Sequence, residues 1–176
     1  AEQGRLLAMA PVAQWAGCDP APIRWILPDR LAIGDCALLV GPESTGKSWM
    51  ALELGVAGSA GRPILGRFLV RERLKVLMVD EENPPDIVHQ RLRHLVKAHG
   101  IEPDELDGRL FLLKPCQGFS FRSPDMVLDL LRKVEQIGPD LIVMDSVTAL
   151  AGIENENDAT AVRRFFHDHL YPLRAV

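Results

Sequence analysis

Residues 41–48, Gly41-Pro42-Glu43-Ser44-Thr45-Gly46-Lys47-Ser48, fit the pattern G-x-x-x-x-G-K-[ST] at each fixed position. No other feature of the chain restricts its fold as much, because this loop works only where a strand ends and a helix begins. The run before it, Cys36-Ala37-Leu38-Leu39-Val40, is short and apolar between Gly34-Asp35 and Gly41, the form of a buried strand. A helical pattern follows from Gly46 through about Ser59. Glycines let such a loop close into a ring whose N–H groups point inward at phosphate oxygens. Lys47 can reach the β- and γ-phosphates, and the Ser48 hydroxyl can ligate Mg²⁺. The helix start adds about half a positive charge. A chance match is expected in roughly one chain in 150 of this length. Residues 41–48, with Trp49 beside them, are therefore the candidate site for ATP and Mg²⁺.

The rest of the chain supplies the sheet that such a loop requires. Lys75–Asp80, Leu110–Leu113 and Leu141–Asp145 repeat the short apolar form. Helical patterns lie between them. One opens at Pro84-Pro85-Asp86 and carries Val88, Leu92, Leu95 and Val96 on one face. Another has Ser123 as N-cap and Pro124 in its first turn, with Val127, Leu130, Leu131 and Val134 on one side. A last one starts near Asn157-Asp158 and presents Val162, Phe165, Phe166, His169 and Leu170. Strands alternating with amphipathic helices predict an α/β fold with a parallel sheet covered on both faces. A length of 176 residues suits one domain. Pro11, Pro20, Pro22 and Pro28 break the first 29 residues into a lead-in strap, with a short helix expected over Leu6–Ala16. Residues 30–176 read as the core, with residues 100–109 and 114–122 as its longest irregular stretches.

Composition narrows the partners. Apolar residues make up 47% and charged residues 25%, which excludes a disordered tail, a collagen-like fibre and a disulfide scaffold. The net charge of −4 offers no bulk positive field, so a nucleic-acid partner must rest on something else. Cys18, Cys36 and Cys116 form no C-x-x-C pair and read as buried thiols in a reducing cytoplasm. No apolar run approaches the ~18 residues of a membrane span, and the start lacks the form of a signal peptide. A cytoplasmic location without membrane contact is expected. Both ends read as cut.

The acidic groups decide the chemistry. Leu141-Ile142-Val143-Met144-Asp145 ends four apolar residues in an Asp, the form of a Walker B strand. Parallel strands end at one edge of the sheet, so Asp145 should emerge beside the phosphate loop and hold Mg²⁺. Hydrolysis also needs a group that orients the attacking water. Ser146 follows Asp145, so the Asp-Glu pair of many ATPases is missing, and the other strand to end in acid is Val79-Asp80-Glu81-Glu82-Asn83. If that strand persists, alternation puts Asp80 and Glu82 on one face and Glu81 on the other. Glu82 is the leading candidate base, with Glu81 the alternative and a purely structural acidic turn the remaining reading. Patterns D-x-x-G, N-K-x-D and L-S-G-G-Q do not occur, against a GTPase or a transporter cassette. No lid of arginines marks a small-molecule kinase; Arg91 and Arg93 read as solvated.

With these residues assembled, the chain resembles RecA-type P-loop ATPases, and among them the RepA/DnaB-like hexameric helicase branch. The likeness runs from about Ile23 to Val176. It rests on Gly41–Ser48, on Pro22–Pro28 followed by Leu31 and Gly34, on Val79–Pro85 followed by Arg91-Leu92, and on Asp145–Leu150 followed by Asn155–Asp158. The resemblance implies a three-layer RecA-like fold with a mostly parallel central sheet, a catalytic Glu82, and a ring or filament of identical subunits, hexameric in that branch. It also implies single-stranded DNA as partner. In the family, a further strand with a polar sensor and a basic finger follows this region, so the chain reads as the N-terminal part of the motor core. It is then incomplete at its C-terminus and leaves a sheet edge open. The loop Ala151–Asp158 is acidic and would repel a phosphate backbone.

Remaining residues read as structural. His167 and His169 face different sides of a helix, and His89, His94 and His99 do not align. Trp15, Trp25 and Trp49 are expected in the core, with Trp25 near enough to the strap to lie by an adenine. Phe119 and Phe121 are expected to anchor their loop rather than stack on bases. Two functional readings stand: a DNA-translocating motor, and an oligomeric switch gated by nucleotide without translocation.

Overall fold

The computed structural model describes residues 9–113, 118–152, 158–170 and 173. Its centre is a parallel sheet in the order β4-β3-β5, made of β3 (Val76–Asp80), β4 (Leu110–Leu113) and β5 (Leu141–Asp145). A parallel step needs a crossover, and helices supply both: α3 (Pro85–Ala98) joins β3 to β4, and α4 (Pro124–Ile137) joins β4 to β5. The α/β class and the parallel sheet expected from the alternating pattern are thus observed.

β3 is the middle strand and is buried throughout. Its alternation splits the core in two. Val76 and Met78 join Leu52, Ala57, Ile64, Leu74 and Val88 on one side. Leu77 and Val79 join Phe119, Phe121, Leu130, Val134, Leu150 and Phe165 on the other. Helix α2 (Lys47–Ala60) covers the first side. It sits close to the sheet because Gly55 has no Cβ; one there would lie 2.9 Å from the Met78 sulfur. Ser123 and Pro124 occupy the N-cap and first turn of α4.

Before the phosphate loop stand α1 (Val12–Ala16) and an antiparallel pair, β1 (Trp25–Leu27) with β2 (Leu31–Ala32). Ile26 and Leu27 are buried against the α2 side. After β5 come α5 (Val147–Ala151), capped by the Ser146 hydroxyl, and α6 (Ala159–Phe165), capped by Asp158. Among the described residues no helix is long and apolar enough to cross a membrane.

Several expectations are corrected. Cys36–Val40 is not a strand: it pairs with nothing in the sheet, and Leu38, Leu39 and Val40 are exposed. An apolar run becomes a strand only where a neighbour completes its ladder, and here β5 keeps that flank open. The first helix covers only Val12–Ala16 of the expected Leu6–Ala16, whose beginning lies outside the described residues. The stretch 100–109 contains a 3₁₀ turn, Pro103–Leu106. Cys18 and Cys36 are exposed rather than buried, since neither lies in a helix or strand that packs on the sheet, and Cys116 lies outside the described residues. Trp15 is 77% exposed on α1, which buries nothing, and Trp49 is 40% exposed. Phe119 and Phe121 do anchor their loop, edge to face at 5.1 Å, with Phe165 5.0 Å from Phe121.

Candidate functional site

The phosphate loop is bent by backbone that few residues tolerate. Gly46 has φ +88° just before α2, and Ser44 has φ +61°; the first is natural for glycine and uncommon for anything larger. Side chains close the loop on itself. Thr45 Oγ1 donates to the Pro42 carbonyl at 2.7 Å. Lys47 Nζ donates to the carbonyls of Gly41 at 2.8 Å and Pro42 at 2.9 Å. The ammonium therefore lies across the loop, held by neutral acceptors that phosphate oxygens would outbid.

β3 and β5 end side by side, with Asp80 and Asp145 as register partners. Ser48, in the first turn of α2, lies close enough to the Asp145 carboxylate to lower its pKa. Burial raises the Asp145 pKa above its usual value; Ser48 beside it opposes this, Asp80 and Glu82 add to it, and Arg91 opposes it. A hydroxyl and a carboxylate on adjoining elements are hard oxygen donors of the kind Mg²⁺ takes. Among the described residues no group of three His, Cys, Asp or Glu is placed to hold a metal alone. An ion here would share its shell with phosphate oxygens, as Mg²⁺ commonly does.

Asp80 is 5% exposed and caps the turn that follows. Its Oδ1 accepts from the amides of Asn83 at 2.8 Å and Glu82 at 3.1 Å. This Asx-type turn ends the strand at Asp80, so the alternation invoked for Glu82 stops two residues short of it. Partners separate the two glutamates instead. Glu81 Oε2 accepts from the Gly118 amide at 2.9 Å. Glu82 is exposed, yet near enough to Asp145 to raise its pKa.

Sequence reasoning missed two residues of this network. Asn83 Nδ2 donates to Asp80 at 3.1 and 3.2 Å and to Asp145 Oδ2 at 3.4 Å. Arg91, expected to be solvated, donates from Nη1 to Asn83 Oδ1 at 2.9 Å and lies 5.7 Å from the Trp49 ring centroid. The available signal was spacing: Arg91 follows the buried Val88 by three residues, on the inner edge of α3. Arg93 is exposed, as expected. Trp49 also faces His94, with ring centroids 6.4 Å apart. Residues 153–157 of the acidic loop, with Asn155–Asn157 among them, lie outside the described residues.

A protein-family model described as an AAA domain matches residues 2–171 of the chain.

Proposed function

The chain belongs to this AAA-domain family of P-loop ATPases, and from that premise we propose that it is the motor core of a DNA helicase or a related DNA-dependent ATPase. Residues 1–29 are its lead-in and 30–176 its core. The observation that carries the reading is the packing of α2, which opens with Lys47 and Ser48, against β5, which ends in Asp145; it sets the phosphate loop beside the strand that resembles Walker B. The likeness of residues 22–28, 79–85 and 145–158 to the helicase branch supports DNA as the track.

In this reading the nucleotide lies along Gly41, Pro42, Glu43, Ser44, Thr45, Gly46, Lys47 and Ser48, with Trp49 at its margin. Lys47 exchanges its two carbonyl partners for β- and γ-phosphate oxygens. Ser48 and Asp145 hold Mg²⁺, which when bound offsets charge on the phosphates. Glu82 accepts a hydrogen bond from water and takes its proton as the oxygen bonds to the γ-phosphorus and the bond to ADP breaks. Identical subunits assemble as a ring, hexameric in the helicase branch, or a filament around single-stranded DNA. A second reading, an oligomeric switch without translocation, draws on the Lys47 contacts, since a loop closed on its own carbonyls has two arrangements.

Mg²⁺-dependent ATP hydrolysis with and without single-stranded DNA tests both, with Lys47→Ala and Glu82→Gln alongside. Turnover that rises with DNA and is lost in both variants is expected. Hydrolysis indifferent to DNA favours the switch, and normal turnover by Glu82→Gln returns the base to Glu81.

A further inference from the structure

Five of the chain's Lys and Arg residues fall within residues 62–75, against one acid, Glu72, although the whole chain is acidic. Three of the five are committed. Arg62 pairs with Glu105, Arg73 donates to Ser59 O, and Lys75 donates to Ile137 O. Glu72 itself takes Arg24. That leaves Arg67 and Arg71, both exposed.

Arg67 sits on a tight turn closed by Ile64 and Phe68, whose amides and carbonyls exchange hydrogen bonds at 2.9 Å. The tip of the β1–β2 pair brings a second exposed guanidinium to the same place. Arg30 lies 5.0 Å and Arg67 5.6 Å from the centroid of the Phe68 ring. One ring therefore gathers two exposed cations, the Arg30 and Arg67 guanidiniums. Among the described residues neither forms an ion pair, and Arg30 donates to the neutral Pro28 carbonyl. Neighbouring carboxylates are engaged elsewhere: Asp35 accepts from the Ala32 amide, and Glu53 from the Leu65 amide and His99. Asp29, beside Arg30 in the chain, is the acid left near the pair. Leu65 and Leu69, exposed on the same segment, add apolar surface.

We propose that Arg30 and Arg67, held on the Phe68 ring with Arg71 nearby in the chain, form a binding patch for the phosphates of a single-stranded nucleic acid. Two exposed guanidiniums gathered on one ring, with Arg71 four residues on, offer phosphates of one strand several bidentate cationic partners, and a bound backbone would release its counterions. The patch rests on the reading above that single-stranded DNA is the partner, and assigns it a contact site made of residues outside the phosphate loop.

The test is fluorescence anisotropy of a labelled oligothymidylate titrated with the full chain across a salt series. The Arg30→Ala/Arg67→Ala double variant should bind at least about tenfold more weakly. Its slope of log K against log salt should flatten by about 1.4, or 0.7 per phosphate contact. Arg30→Lys/Arg67→Lys should keep most of that slope, and Asp29→Asn should bind more tightly. Binding of a fluorescent ATP analogue should be unchanged in all three. Equal affinity and slope in wild type and the double Ala variant would overturn the patch, as would no binding by wild type. Displacement of the oligonucleotide by inorganic phosphate at matched charge would also overturn it, by making the patch a small-anion site. DNA-stimulated hydrolysis that survives in the double Ala variant would remove the patch and leave the motor reading standing.

Discussion

Asp80 and Asp145 are register partners at the ends of β3 and β5, and the amide of Asn83 donates to both carboxylates. Two like charges on adjoining strands are unfavourable at close range, and nothing in folding demands that arrangement. A divalent cation offsets it. The site is thus held by donors that each cover only part of the charge: Asn83 on both acids, and Arg91 behind Asn83.

Asp145→Asn should stabilise the nucleotide-free protein while abolishing Mg²⁺-dependent turnover. Burial raises the Asp145 pKa above the ordinary 3.8, so folding favours its protonated form. Its contribution to stability is therefore greatest below the ordinary value and is lost as pH rises through the raised one. Thermal melts from pH 3.5 to 7.5 should show Asp145→Asn gaining on wild type as pH rises, then running parallel. Each kcal/mol is worth about 2–4 °C at this chain length. A wild type that gains on the variant over the same range would mean the carboxylate is stabilised by its neighbours instead.

Lys47→Ala separates binding from folding. Among the described residues the ammonium bonds only to the Gly41 and Pro42 carbonyls, which water can replace. The melting temperature should move by no more than about 2 °C, as for other surface substitutions. Affinity for a fluorescent ATP analogue should fall at least about tenfold, the loss expected when a charge-assisted phosphate contact of ~1.5–3 kcal/mol is removed. A large loss of stability with affinity intact would make Lys47 a structural brace.

The phosphate loop was legible because Gly46 and Lys47 act through their own backbone and reach, which fixed spacing records. The three strands of the sheet were legible for the same local reason, a short apolar run between breakers. Cys36–Val40 has the same form and failed, because a ladder also needs a partner that composition does not announce. Asn83 and Arg91 stayed hidden behind one local event: Asp80 accepts the amides of Glu82 and Asn83, the strand stops, and the side chains beyond it turn to new partners.

Glu53 on α2 shows what a buried acid needs when no ligand is at hand. It is 6% exposed; its Oε1 accepts the Leu65 amide at 2.8 Å, and its Oε2 meets His99 Nε2 at 2.8 Å. His99→Ala leaves one oxygen of a buried carboxylate without its partner, and urea unfolding should show a loss of about 1–3 kcal/mol. Glu53→Gln/His99→Leu should recover part of it by replacing the pair with a neutral donor and an apolar group. Equal stability of His99→Ala and wild type would mean that water reaches Glu53.

Arg91 should act on turnover through Asn83 rather than by holding nucleotide. Its Nη1 bonds Asn83 Oδ1 at 2.9 Å, and that bond fixes which end of the amide faces Asp80 and Asp145. In Arg91→Ala the amide is free to rotate and the carboxylates lose a fixed donor, while the phosphate loop is untouched. kcat should fall about 10–100-fold, the usual cost of losing a partner behind a metal ligand, with KM for ATP within about threefold. Trp49 loses the guanidinium 5.7 Å from its ring, so its fluorescence should change in the nucleotide-free protein. Arg91→Lys keeps the charge but not the planar fork, and should recover only part of kcat. A rise in KM equal to the fall in kcat/KM, with kcat unchanged, would instead put the guanidinium on the nucleotide itself and end the positioning role.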